Sequence, residues 1–160
     1  MSITSSKDVH VPLRLRIDVA RQRLEVLRDT EICRSYPVST SRFGLGFEVG
    51  SGKTPVGRFV VGEKIGAGAP LGTVFSSRKP TGQVALQGGA EDLVLTRILW
   101  LDGIEGENSN TKDRYIYIHG TNQEAFLGTP ASHGCVRMRN ADIAECFDEI
   151  PEGTLVEIVV

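Results

Sequence analysis

The sequence predicts a mainly β protein with one short helix in its C-terminal half, at about residues 141–150. Three observations carry this. Leu13, Leu15, Ile17 and Val19 alternate with Arg14, Arg16 and Asp18, the period of two that turns one strand face to a core and the other to water. Two runs, Leu93 to Leu101 and Thr154 to Val160, are dense in apolar and β-branched residues. Only the stretch after Asn140 repeats its apolar residues at helical spacing.

Residues 1–12 read as a flexible lead and residues 13–160 as a single domain, which a chain of 160 residues with a hydrophobic fraction of 40% can fill with one core. Within it, Ala20-Arg21-Gln22 is a turn after the first alternating run, and Leu24 and Val26 resume the alternation, so 13–27 is a hairpin. A strand follows over 31–38, ending at Pro37. Residues 39–54 (STSRFGLGFEVGSGKT) form a long Gly- and Ser-rich loop, and strand character returns from Arg58 to Lys64. Residues 66–92 hold much Gly, Pro and Ser and read as irregular connections with short strands. Leu93 to Leu101 is a buried strand, Glu105 to Lys112 a polar turn, and Tyr115 to Ile118 a strand running into His119. For the helix, Asn140 is the expected N-cap and Asp142 suits the positive helix start. Ile143, Phe147 and Ile150 share its apolar face with Cys146 beside them, and Pro151 and Gly153 stop it. Thr154 to Val160 closes the domain as a strand.

Charge excludes some classes of partner. Eighteen Lys and Arg against 20 Asp and Glu leave no basic excess for nucleic acid or an anionic membrane. No stretch approaches the roughly 20 apolar residues that span a bilayer. Three cysteines without tight spacing make a poor disulfide framework and fit reduced thiols. The opening residues lack the apolar core of a secretory signal, which predicts a cytoplasmic protein, or a periplasmic one if an export segment has been removed.

Gly50-Ser51-Gly52-Lys53-Thr54 invites a phosphate-loop reading, but Phe47 stands where that pattern needs Gly. Pro55 and a strand also follow where it needs a helix N-terminus. The informative segment is Ile118-His119-Gly120-Thr121 followed by Ser132-His133-Gly134-Cys135-Val136-Arg137-Met138. A thiol attacks as thiolate and is mostly protonated at neutral pH, so it needs a neighbouring imidazole to take its proton. His119 at a strand end and Cys135 in a Gly-containing turn sixteen positions on can be joined by a returning loop. Gly134 allows close approach to a substrate carbonyl, and its N–H with that of Cys135 can form an oxyanion hole.

These residues resemble the L,D-transpeptidase (YkuD-type) family. Its signature is a His-Gly followed at this spacing by [Ser/Thr]-His-Gly-Cys, here SHGCVRM with Arg137 where other members carry Asn. Thr54-Pro55-Val56-Gly57-Arg58-Phe59 matches its Thr-Pro-x-Gly-x-Phe stretch, and Asn140-Ala141-Asp142 the start of its helix. The resemblance implies a YkuD-like β-sandwich over residues 13–160 with the Cys at the end of a deep groove, Cys135 as nucleophile and His119 as base. It further implies that the Gly120 carbonyl orients the His119 ring and that His133 lines the site. Ser132, Thr121 and Arg137 are the other expected substrate contacts, Arg137 as a planar fork for a carboxylate. In some members a Tyr upstream of the base completes the oxyanion hole; Leu99, Trp100 and Leu101 occupy that region here.

The implied substrate is a peptidoglycan stem tetrapeptide or muropeptide, cleaved between diaminopimelate and the terminal D-Ala through a thioester. No cofactor or metal is needed, and covalent carbapenem inhibition at Cys135 is expected. With water as acceptor the enzyme is an L,D-carboxypeptidase of muropeptide recycling. With an amine it forms 3-3 crosslinks or exchanges D-amino acids. A non-catalytic binding module of the same fold is the competing class. A zinc site from His119, His133, Cys135 and Cys146 matches no common tetrahedral spacing. Cys33 and Cys146 read as structural, His10 as part of the lead, and Asn122 to Ala131 as a loop flanking the groove. Arg97 is either paired in the site wall or directed to solvent.

Overall fold

The computed structural model describes residues 11–160, so most of the expected lead, with His10, lies outside the described residues. Ten strands and one α-helix are formed within them. The strands are β1 (Leu13–Asp18), β2 (Arg23–Arg28), β3 (Glu31–Ser39), β4 (Gly57–Ile65), β5 (Thr73–Ser76), β6 (Lys79–Val84), β7 (Val94–Gly103), β8 (Tyr117–Gly120), β9 (Val136–Met138) and β10 (Leu155–Val159). The helix α1 spans Asn140–Glu149.

The strands form one sheet in the order β4-β10-β1-β2-β3-β9-β8-β7-β5-β6, and a further pairing of β4 with β7 closes eight of them into a barrel-like ring. The β5–β6 hairpin hangs outside the ring from β7. Alternation decides what points inward. Leu15 and Ile17 of β1 and Leu24 of β2 are fully buried, as are Phe59, Leu99 and Leu101 opposite them. Each such side chain contributes about 1.5–3 kcal/mol on burial. A register shift between Val26 and Leu27 lets both turn inward, which strict alternation forbids. Helix α1 lays Ile143, Cys146 and Phe147 onto β7 and β8. Lys64 Nζ sits 4.3 Å from the Phe147 ring and donates to the Phe147 carbonyl at 2.6 Å.

Several local expectations change. The strand expected from Tyr115 begins at Tyr117, because Tyr115 adopts a left-handed φ of 59° that ends the preceding turn. Pro37 lies within β3, which continues to Ser39. The nucleophile segment, expected as a turn alone, runs on into β9. The N-cap of α1 is Arg139 and not Asn140. Asn140 is the first helical residue, and its amide N–H is satisfied by the Glu124 carboxylate at 2.8 Å, a negative group at the positive helix end. Its side chain is thereby released for contacts described below.

Candidate active site

The site is built on the parallel pair β8 and β9, with His119 opposite Arg137 and Ile118 opposite Val136. Parallel neighbours need a crossover, here the Thr121–Cys135 connection with its short 3-10 turn at Glu124–Phe126. Alternation places Tyr117 and His119 on one face, and Cys135 packs beside Tyr117 on that face. The thiol and the imidazole therefore share a face on adjacent strands, two residues apart along them.

Cys135 is half-buried. Its Sγ accepts the Tyr117 N–H at 3.3 Å and donates to the Tyr115 carbonyl at 3.4 Å. Burial pushes the thiol up to about 12, against the milder pull of the Tyr117 N–H. Burial likewise holds the fully enclosed His119 below its ordinary value, partly offset by the Gly120 carbonyl. The resting pair is thus thiol and neutral imidazole. A carbonyl can only accept, so the 2.5 Å contact between His119 Nδ1 and Gly120 O places the proton on Nδ1 and leaves Nε2 basic.

The Gly120 residue is itself closely confined. Strand β7 pairs Leu95 with Gly120 but Ile98 with His119, so Thr96 and Arg97 bulge out opposite the His119–Gly120 peptide. Thr96 is fully buried with φ 77°, a costly conformation for a β-branched residue. Its hydroxyl accepts the Gly72 N–H at 3.0 Å and donates to Asn140 Oδ1 at 2.5 Å. Asn140 Nδ2 donates to Thr121 O and Glu124 Oε2, both at 2.9 Å. A Cβ on Gly120 would overlap Asn140 Oδ1, so only glycine fits. Arg97 gives Nη1 to the Ala69 and Thr96 carbonyls, and its guanidinium lies 5.6 Å from the Phe147 ring on the helix.

The nucleophile turn is clamped from two sides. Ser132 Oγ donates to the Cys135 carbonyl at 2.6 Å and accepts the Gly134 N–H at 3.2 Å. Thr54 Oγ1, fully buried, donates to the Gly134 carbonyl at 2.9 Å and accepts the Ser41 N–H at 3.0 Å. Gly134 itself has φ 129°.

Comparison with known proteins decides the family. Residues 12–158 match the YkuD family, described as the L,D-transpeptidase catalytic domain. The chain belongs to this family. It is similar to the putative L,D-transpeptidase YkuD of Bacillus subtilis, 24% identical over 92% of this chain and 66% of that protein. A stretch of 46 residues is 48% identical to the probable L,D-transpeptidase YbiS of Escherichia coli, covering 29% of this chain and only 15% of that longer protein. Among solved structures, the L,D-transpeptidase of Xylanimonas cellulosilytica superposes with a TM-score of 0.62 at 23% identity, over 92% of this chain and 60% of that one. LdtMt1 in complex with imipenem does so with 0.58 at 22%, over 92% and 58%.

For a YkuD domain, three expected substrate contacts are turned inward here. Arg137 is 1% exposed; its Nη2 lies 2.8 Å from Asp92 Oδ1 and its Nη1 donates to Gln123 at 3.0 Å. Its Nε and Nη2 make no aligned hydrogen bond, so the Asp92 contact is an ion pair by proximity. Burial of the strand end, not exposure to the groove, sets this position. Ser132 and Thr121 are buried too, Ser132 as the turn clamp and Thr121 through its carbonyl, which receives Asn140 and Gln87. The Gly134 N–H, expected in the oxyanion hole, is occupied by Ser132 Oγ. His133 does stand open at the rim, with Nδ1 2.8 Å from Asp92 Oδ2.

Asp92 was not legible in sequence, being one acid at the end of a connection rich in Gly, Pro and Ser. It joins His133 and Arg137, and although burial opposes its charge, those two partners hold its carboxyl below the usual range. A cleft of about 370 Å³ lies between His133 and the Tyr115–Ile116 segment, with Gly52 and Arg114 also on its wall. On the other flank Trp100, Tyr115 and Tyr117 form an aromatic wall with ring centroids 5.8–5.9 Å apart. The Trp100 N–H is taken by the Lys112 carbonyl at 3.1 Å, so it has no donor for the region where some family members place a Tyr.

Proposed function

We propose that this YkuD domain is a cysteine acyl-transfer enzyme acting on peptidoglycan stem tetrapeptides. The observation that carries the reading is the resting geometry of Cys135 and His119, a neutral thiol on the same face as an imidazole whose Nδ1 proton is fixed on Gly120. His119 Nε2 takes the thiol proton as Sγ attacks the carbonyl between diaminopimelate and D-Ala. The carbonyl oxygen becomes an oxyanion, for which the Cys135 N–H is the donor we assign. His119 returns the proton to the departing amine, D-Ala leaves, and a thioester remains on Cys135. The neutral resting pair means that charge develops only with substrate present, in a water-poor site where it is best stabilised by fixed donors.

Water as the acceptor needs only His119 to act a second time as base, and no second peptide groove. Hydrolysis to tripeptide, an L,D-carboxypeptidase reaction on soluble muropeptides, is therefore the acceptor step we assign, with a cytoplasmic place of action. The solved complex of the relative LdtMt1 with imipenem supports carbapenem acylation of Cys135 as a further property. The test is incubation with a disaccharide tetrapeptide and mass analysis of products. Tripeptide and free D-Ala support hydrolysis, a dimer joined through two third-position residues shows transpeptidation instead, and unchanged substrate overturns the enzymatic reading.

A further inference from the structure

The burial of Arg137 leaves a chemical gap. A groove that removes a C-terminal residue must meet that residue's carboxylate close to the scissile bond, and the arginine beside the nucleophile is internal. Two other cations beside the site are engaged. Arg114 gives its guanidinium to the Gly46 and Lys53 carbonyls at 3.2 and 2.7 Å. Lys112 lies 3.7 Å from Glu63 and 4.8 Å from the Trp100 ring.

Arg78 is different. It stands at the tip of the β5–β6 hairpin, where Ser77 and Arg78 are both left-handed, with φ 48° and 66°, the geometry of a two-residue hairpin turn. The hairpin thereby delivers one guanidinium onto the aromatic wall. Its Cζ is 4.9 Å from the Trp100 ring and 4.9 Å from the Tyr115 ring, and Nη1 donates to the Tyr117 hydroxyl at 3.2 Å. A guanidinium has five N–H donors, and this one is bonded to a single neutral phenol. Among the described residues no carboxylate forms an ion pair with it. Its supports, Tyr115 and Tyr117, are the residues whose backbone holds Cys135 Sγ, and Tyr115 also lines the cleft.

We infer that Arg78 is the carboxylate-binding residue of the groove, pairing with the terminal carboxylate of the leaving D-amino acid. This rests on the acyl-transfer reading above. The leaving residue's carboxylate lies about one residue's span, roughly 3.8 Å or a little more, from the carbonyl under attack. Two aromatic rings hold the guanidinium at its Cζ from 4.9 Å each, which leaves its remaining N–H donors free for a bidentate, charge-assisted contact. Binding at this point is selective for a free C-terminus, and it positions the scissile carbonyl over Cys135 without an exposed Arg137.

The test compares tetrapeptides ending in D-Ala acid and D-Ala amide, on wild type, Arg78→Gln and Arg78→Lys. Wild type should favour the acid in kcat/KM by roughly 10- to 100-fold, the range of a hydrogen bond to a charged group. In Arg78→Gln the acid-to-amide ratio should collapse toward one through a rise in KM for the acid. Arg78→Lys should recover part of the ratio as a point charge without the fork. Equal losses on both peptides would mean that Arg78 only braces the wall and would overturn the assignment. So would a wild-type enzyme that cleaves acid and amide equally, while leaving the acyl-transfer reading intact. A wild type that cleaves neither peptide overturns both.

Discussion

Replacing Thr96 by Val keeps the shape of the side chain and deletes its hydroxyl, which separates hydrogen bonding from packing. The hydroxyl serves two buried partners, the Gly72 N–H at 3.0 Å and Asn140 Oδ1 at 2.5 Å. Each partner left unpaired costs about 1–3 kcal/mol, so the variant should lose about 2–6 kcal/mol. The left-handed backbone at φ 77° remains strained in Val, with nothing gained to offset the loss. For a domain of this size that is about 4–24 °C in Tm. Thr96→Ser retains the hydroxyl and should stay within about 1 kcal/mol of wild type. Thr96→Gly relieves about 1–2 kcal/mol of backbone strain and loses both bonds, so it should fall between them. Asn140 also loses its anchor, and with it the support of Thr121 and the confinement of the neighbouring Gly120. The Val variant should therefore acylate more slowly, with a changed His119 titration. Calorimetry, acylation rates and histidine NMR titration check this. A Val variant that melts with wild type and titrates His119 identically would refute the network.

The acylation rate should fall at acid pH with a midpoint below 6.5, because burial depresses His119 and its neutral form is the base; a midpoint above 6.5 in a rapid-mixing pH profile would contradict this. At neutral pH Cys135, followed by peptide mapping in a Cys33→Ala background, should alkylate slowly with iodoacetamide and faster as pH rises, since burial pushes its thiol up to about 12. Asp92→Asn should cost about 1–3 kcal/mol, discounted because Asp92 is partly open to solvent, and should loosen His133 and Arg137. Its carboxyl is depressed in the fold, so its contribution is present above pH 3.8 and lost as pH falls through the lower folded value; acid melts of the variant should show a flatter limb there. Thr54→Val should leave both the Gly134 carbonyl and the Ser41 N–H unpaired, cost about 2–6 kcal/mol on melting, and slow acylation without touching substrate.

Much of this was legible because strands declare themselves by alternation. The pairs Leu15/Ile17 and Leu24/Val26 gave the first hairpin, and the ordered His119-Gly120 and Ser132 to Met138 motifs named the candidate site, whose two segments the fold brings onto adjacent strands. What alternation does not carry is closure. The pairing of β4 with β7 and the parallel pairing of β8 with β9 are contacts between distant segments. Arg137 was misread for the same reason: its neighbours in sequence are polar, but its neighbours in space are Asp92 and Gln123. Asn140 looked like a cap because caps are local, whereas Glu124 supplies the cap from another segment. Thr54 was recognised in a motif without a role, since its partner Gly134 is 80 residues away. Thr96 gave no signal, as a left-handed threonine depends wholly on its surroundings.

The central claim is a thioester on Cys135. Rapid-quench intact-mass analysis with stem tetrapeptide, followed by peptide mapping, measures it directly. The account predicts a transient adduct of the acyl tripeptide on Cys135, retained in Cys33→Ala and Cys146→Ala and absent from Cys135→Ala. An adduct on either of the other cysteines, or turnover by Cys135→Ala near the wild-type rate, would contradict it.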